Sequence, residues 1–207
     1  MAVETPVKQR LLDAALSLVR TKGYTATTVD ELCASAGVTK GAFFHHFKSK
    51  EDLAVSAASY WSSTTGDLFA RAPYHLHSDP LDRVLGYVEF RKAILKGSVA
   101  QFTCLVGTMV QETYETHPPI RDACQRSIFG HAGTLAEDIA LAKELYAPSA
   151  TWAPMSLALH TQAVIQGAFI LAKAAGSAEA AAESLDHLRR YLEFLFDKPT
   201  ERKRKEP

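Results

Sequence analysis

Two hundred and seven residues, against roughly 100–200 for a typical domain, give one or two domains with enough chain to bury a core unaided. Apolar residues make up 47% and charged residues 22%, which excludes a disordered chain, and the length excludes an extended repeat array or a large multidomain enzyme. Lys plus Arg and Asp plus Glu both number 23, but unevenly placed: the net charge is +3 over residues 1–50, −6 over 51–197 and +3 over 198–207, two positive ends around a negative body.

Helix punctuation recurs throughout and alternating strand patterns are scarce, so the chain reads as all-α. Thr5 and Pro6 make an N-cap and first helical position, Val7, Leu11, Ala14, Ala15, Leu18 and Val19 follow at helical spacing, and Gly23 closes the helix. Thr28-Val-Asp-Glu31 is a capping box that starts a short helix to about Ala36. Gly37 turns the chain, and Thr39 caps a second short helix carrying Gly41, Phe43, Phe44, His45, His46 and Phe47. Ser49-Lys-Glu-Asp52 resembles a capping box with Asp at its end and begins a helix to about Arg71. Five further helices are predicted at 80–97, 101–116, 119–146, 153–175 and 178–196, and the basic segment 198–207 is expected to be a solvated tail.

Three cysteines, Cys33, Cys104 and Cys124, with no Cys-x-x-Cys pair, disfavour a disulfide framework or structural zinc. His75-Leu-His77 and His45-His46 lack a third spaced ligand, so neither metal nor cofactor is expected. The first residues lack the apolar core of a signal peptide, and no run comes near the ~18 uncharged apolar residues of a membrane span. A cytoplasmic protein with no membrane partner is the expectation.

Residues 28–47 place two short helices around Gly37, with Leu32, Ala36, Val38 and Phe43 available to pack on Leu11, Ala15 and Leu18, which is helix-turn-helix logic. A glycine turn alone fits a plain helical hairpin. Two capped starts around an aromatic and basic helix fit double-stranded DNA better, because the start of such a recognition helix meets base edges in the major groove. Lys40 can donate to guanine, Thr39 to a phosphate or base, Gly41 permits close backbone approach, and Phe44 can cover a thymine methyl. The helix starts at Thr28 and Ser49, with Lys50 beside the second, can hold phosphates.

The stretch from Thr27 to Leu53, TTVDELCASAGVTKGAFFHHFKSKEDL, with the helix before it, resembles the DNA-binding signature of the TetR family of bacterial transcriptional regulators over residues 7–55. The resemblance implies a three-helix DNA-binding domain over 1–50 and a helical effector-binding and dimerisation domain over 51–197. It also implies a homodimeric repressor released from a palindromic operator by a small molecule. By position, Thr28 would touch phosphate, Thr39, Lys40, Gly41, Phe44 and His45 would face the groove, and Lys50 would hold backbone. The family commonly has Tyr where Phe44 stands, so a phenol contact to phosphate is absent here. Asp30 could accept from cytosine, but favouring the start of its own helix is the simpler role.

A monomer reading one half-site makes too few phosphate contacts to bind well, so pairing is expected. The apolar excess of the last two helices points to Leu157, Val164, Ala168, Leu171, Leu188, Leu192 and Leu195 as a dimer face, where the resemblance also puts one. Candidate effector contacts are Trp61, Phe90, Cys104, Tyr114, Trp152, His160 and Gln166, with Glu112 and Gln162 as further polar groups. Cys104 opens a helix, where the dipole favours a thiolate, and the segment looks like that of TetR relatives that sense oxidants or electrophiles; a buried inert thiol is the plainer account. A regulator without a small ligand is a further alternative. A cysteine enzyme built on Cys104 with His117 or His160 is the weakest reading, for want of a phosphate loop, nucleophile elbow or spaced metal ligands.

Overall fold

The start of the chain shows how local chemistry sets the elements. The Thr28 hydroxyl accepts from the Glu31 N–H at 3.2 Å while Glu31 Oε2 accepts from the Thr28 N–H at 2.9 Å, so both halves of the capping box form. After eight helical residues Gly37, at φ 62° and ψ 44°, ends that helix in the left-handed region, donating to Ala34 and Cys33 carbonyls. Thr39 Oγ1 then accepts from the Ala42 N–H at 3.1 Å and starts the next helix. Ser49 Oγ accepts from Asp52, whose carboxylate reaches the Lys48 N–H, one position before the box partner that a Glu would reach.

The computed structural model describes residues 6–197, which form α1 (Val7–Lys22), α2 (Val29–Ala36), α3 (Lys40–His46), α4 (Lys50–Ala70), a 3-10 turn (Pro73–Leu76), α5 (Pro80–Ala93), α6 (Val99–Phe102), α7 (Leu105–Thr113), α8 (Pro118–Tyr146), α9 (Pro154–Ala175) and α10 (Glu179–Leu195). The described residues hold no strand, and the fold is all-α. The Thr5 cap and the basic tail lie outside the described residues. One predicted helix is wrong in kind: 101–116 is two helices, because Thr103 and Cys104 leave the helical conformation and the Cys104 Sγ caps α7 by accepting from the Gly107 N–H at 3.4 Å. The helix predicted to reach residue 97 stops at Ala93, and Gly97 turns at φ 82°.

Packing divides the chain into two units. Unit one joins residues 6–67 to 103–128 of the described residues, so its edge runs inside α4 rather than at residue 50. Its core gathers Leu11 and Ala15 of α1, Leu32 of α2, Phe43 of α3, Leu53 of α4 and Met109 of α7, all nearly inaccessible to solvent. Unit two joins 68–102 to 129–197 of the described residues. There α10 packs on α9 and α5, and α5 packs on the 3-10 turn. Leu81, Val84, Ile165, Leu185 and Leu192 are buried. Asp79 caps α5 by accepting from Leu81 at 2.7 Å, as the Asp-Pro start predicts. By length and composition α9 is long and apolar enough to cross a membrane, a correction to the expectation that no stretch qualifies; 44% of its most apolar window is buried inside the protein.

Candidate functional site

The second helix of the helix-turn-helix pair is anchored by very little of itself. Of its seven residues only Phe43 is buried, and Phe47 behind it is the other anchor. That fixes the roll of the helix and leaves Lys40, Gly41, Phe44, His45 and His46 exposed, with Phe44 56% accessible while its aromatic neighbours sit in the core. A Cβ at Gly41 would meet nothing nearer than Thr39 Oγ1 at 3.7 Å, so the approach to its backbone is open. Lys40 Nζ lies 2.7 Å from Asp30 Oδ1, both side chains largely exposed, and the Asp30 hydrogen bond raises the Lys40 pKa.

Three of the sequence expectations change here. Asp30, read mainly as a helix-start residue, pairs with Lys40 across the turn. Thr28 donates its hydroxyl hydrogen to Glu31 Oε2 at 2.8 Å, so it has no hydrogen left for a phosphate. Lys50 is committed inside the protein: Nζ donates to the Tyr24 carbonyl at 3.1 Å and the Thr27 carbonyl at 2.9 Å and lies 4.2 Å from the Tyr24 ring centre, and burial lowers its pKa. Its role is to hold the α1–α2 loop. Thr39, by contrast, uses its oxygen on its cap and keeps its hydrogen.

Sequence reasoning missed the other clamp on that loop. Glu112 of α7 accepts from the Tyr24 N–H at 3.2 Å and the Thr25 N–H at 2.8 Å, carrying a carboxylate to two backbone donors just ahead of α2 and α3. Glu31 is held down to about 2, by the Lys22 ammonium at 2.5 Å first and the Thr28 backbone second.

Of the expected effector residues, Trp61, Cys104 and Tyr114 belong to unit one and Phe90, Trp152, His160 and Gln166 to unit two. Trp61 lies under the Arg20 guanidinium at 5.1 Å, Cys104 caps α7, and Tyr114 is exposed at the other end of that helix. In unit two, Trp152 sits under Lys143 and against Phe196, exposed His160 stacks on Tyr191, Gln166 is half-buried, and Phe90 packs on Phe69 and Tyr74.

Phe90 leads to a polar cluster that the sequence did not single out. Buried Tyr87 Oη accepts from Arg91 Nε at 2.9 Å and from Gln162 Nε2 at 2.7 Å, which fills both lone pairs. Its hydrogen therefore points to His131 Nε2, 3.0 Å away, where Arg91 Nη2 also arrives at 2.8 Å. Nε2 must be the bare acceptor, so His131 is neutral with its proton on Nδ1. Burial, and then the Arg91 charge, push its pKa down to about 3. The Tyr87–Arg91 spacing of four on one helix was a legible hint; His131, 40 residues on, was not.

For the dimer expectation, Leu157, Ala168, Leu188 and Leu192 are consumed by the chain's own core, while Val164 and Leu195 are half-buried. Only Leu171, of those named, is exposed. It shares the two last helices with exposed Ile170, Tyr191 and Phe194, the last 86% accessible.

Comparison with known proteins agrees with this architecture. The family description "Bacterial regulatory proteins, tetR family" matches residues 11–57, and "Tetracyclin repressor-like, C-terminal domain" matches residues 80–188. YvkB of Bacillus subtilis, an uncharacterized HTH-type transcriptional regulator, is 36% identical over 94 residues, 44% of this chain; the chain spans about half, 50%, of that relative's length. Among solved structures, regulatory protein TetR from Rhodobacter sphaeroides superposes with a TM-score of 0.79 at 23% identity, covering 90% of this chain and 99% of that one. The reduced form of NemR from E. coli gives a TM-score of 0.75 at 23% identity, over 89% of this chain and 96% of that one. With more than half its length matched to a single family domain behind a capped helix-turn-helix, the chain belongs to the TetR family of DNA-binding transcriptional regulators.

Proposed function

We propose that this regulator is a cytoplasmic, homodimeric repressor that leaves a palindromic operator when a small molecule binds. Residues 1–50 supply the DNA-binding part and 51–197 the effector-binding and dimerising part. The observation that carries the DNA reading is α3, which is anchored by Phe43, with Phe47 just past its end, and turns Lys40, Gly41, Phe44 and His45 outward. Lys40 reads base edges, Thr39 donates to phosphate, and Phe44 covers a thymine methyl or sugar. Two copies of α3 about 34–36 Å apart would enter successive major grooves. The exposed apolar strip of Ile170, Leu171, Tyr191 and Phe194 supports pairing through the last two helices. Effector binding then shifts α4, which continues from the DNA-binding part into the sensing part, and changes that separation. The regulator carries out no catalysis in this reading.

Footprinting on the regulator's own upstream region tests the proposal. A protected inverted repeat is expected, and failure to retain any double-stranded fragment at low ionic strength would overturn it.

One observation favours a second reading, in which Cys104 is the sensor. Its sulfur caps α7, and at the penultimate residue of the same short helix Glu112 grips the loop ahead of the DNA-facing helices. Modifying the thiol removes the cap acceptor and slackens that grip. Labelling native protein with a thiol reagent and finding operator affinity unchanged would exclude it.

A further inference from the structure

Helix α5 carries three cations, and two of them have found carboxylates. Arg83 Nε lies 2.6 Å from Asp138 Oδ1, and Lys92 Nζ lies 2.6 Å from Asp186 Oδ1. The neighbouring acid Glu89 is taken by Arg189 at 2.8 Å. Of the three, Arg91 alone has no carboxylate partner among the described residues, although it is half-buried and so partly withdrawn from water.

Nor do its neutral neighbours satisfy it. Tyr87 Oη takes Nε, but that oxygen is already shared with Gln162; the one lone pair of His131 Nε2 receives both the tyrosine hydrogen and a guanidinium hydrogen. The cluster holds more donors than acceptors, and the Nη1 edge of the fork has no partner among the described residues. Around it stand aromatic faces: the guanidinium carbon is 4.2 Å from the Phe69 ring centre, and Phe90 and Tyr74 extend the same wall. The group has the composition of a ligand site, an apolar surround with a few convergent polar atoms.

We infer that Arg91 is the anchor of the effector site, and that the effector is a small aromatic monocarboxylate. The guanidinium fork matches the two oxygens of a carboxylate, and one unpaired positive charge beside a neutral imidazole calls for a single negative charge rather than a dianion. Half-buried Phe90 takes the ring of the ligand, with buried Phe69 and Tyr74 behind it. The inference rests on the proposed response to a small molecule, and it names the chemistry of that molecule.

The test uses benzoate and phenylacetate as probes, with benzamide and phenylacetamide as neutral isosteres, titrated calorimetrically into the full-length protein and, separately, into its operator complex. At least one acid should bind roughly 10- to 100-fold more tightly than its amide, the range expected for charge-assisted hydrogen bonds to a guanidinium. Arg91→Gln should erase that preference, and Arg91→Lys, which keeps the charge but loses the fork, should restore part of it. Acid and amide binding alike in the wild-type protein, or neither binding, overturns the inference and needs no variant to fold. The wider proposal fails separately: Arg91-dependent acid binding that leaves the operator complex intact refutes release while the anchor stands, and release by a ligand indifferent to Arg91→Gln does the reverse.

Discussion

Lowering the pH from 7 to 5 should destabilise this protein through His131, and the size of the effect follows from its hydrogen bonds. In the folded chain Nε2 accepts from Tyr87 and Arg91, and Phe69 covers the ring at 4.7 Å between centroids, so the proton has nowhere to go and must arrive beside a guanidinium. The folded pKa is about 3, against about 6.5 for a free imidazole. The unfolded state therefore binds the proton first, and stability present above pH 6.5 drains away as the pH falls toward 3. At pH 5 the unfolded imidazole is almost fully protonated and the folded one almost not, which gives a loss of about 2 kcal/mol relative to pH 7 and is insensitive to the folded value so long as it lies well below 5. The Glu31 carboxylate, held near 2, starts to cost stability only below its ordinary range and stays out of this window. His131→Gln supplies the reference, since its amide oxygen can accept from the same donors without titrating. Urea unfolding at pH 7 and pH 5, at one protein concentration because association adds to apparent stability, should show the wild type losing ~2 kcal/mol more than the variant, or roughly 4–8 °C in Tm. Parallel losses would refute the tautomer and the buried-acceptor argument with it.

Lys40→Ala should flatten the preference for operator over unrelated DNA, whereas Lys50→Ala should cost ~1.5–3 kcal/mol of folding stability by freeing the Tyr24 and Thr27 carbonyls, as read by denaturation and competition binding. Equal, sequence-blind losses of DNA affinity from both, with unchanged stability, would reverse the assignment. Gly23→Ala should destabilise by ~1–3 kcal/mol or more, since Gly23 sits at φ 91° and an added Cβ would fall on the Glu112 carboxylate; an unchanged Tm would show that the loop yields freely. Phe194→Glu should leave the folded chain intact yet weaken pairing by ~3–6 kcal/mol, one phenyl ring lost from each side of a twofold interface; a variant that sediments like the wild type at micromolar concentration would place the dimer face elsewhere.

The elements that were legible are those fixed by neighbours in the chain. Thr28 and Glu31, Asp79 and Pro80, and the glycines at 37 and 176 each act within one turn, so the helices they bound fall where local chemistry puts them. The break at Thr103 and Cys104 has no such mark: neither residue is glycine or proline, and a thiol is a weak cap that takes the place only because Leu105, Val106 and Met109 are pulled into the core of unit one. Four of the seven residues expected at a dimer face are buried in the chain's own core for a related reason. Apolar periodicity in α10 finds Leu185, Leu188 and Leu192 correctly as a stripe, but the same stripe can face the chain's own α5 and α9 or a second copy, and here it faces the former. The side left over, with Tyr191 and Phe194, does not look like a stripe at all. Lys50 was misread because its partners are carbonyls of a loop more than twenty positions earlier, which no spacing rule reaches.

If α3 enters the groove as proposed, charge at the starts of α2 and α3 bears on selectivity as well as attraction. The Asp30–Lys40 pair is exposed on both sides, and such pairs are worth little in water, ~1 kcal/mol or less, so parting them for a better acceptor costs little. In the proposed complex Lys40 gains two strong acceptors from a guanine edge, while Asp30, left alone, faces the phosphates and is repelled. On DNA with no acceptor in the right place the lysine stays with its aspartate, the pair is neutral, and the surface of α3 loses its one ammonium group. The ion pair therefore subtracts from nonspecific attraction more than from specific binding. That is the useful direction for a regulator that must find one site among many, and a lysine without the aspartate would attract every sequence alike.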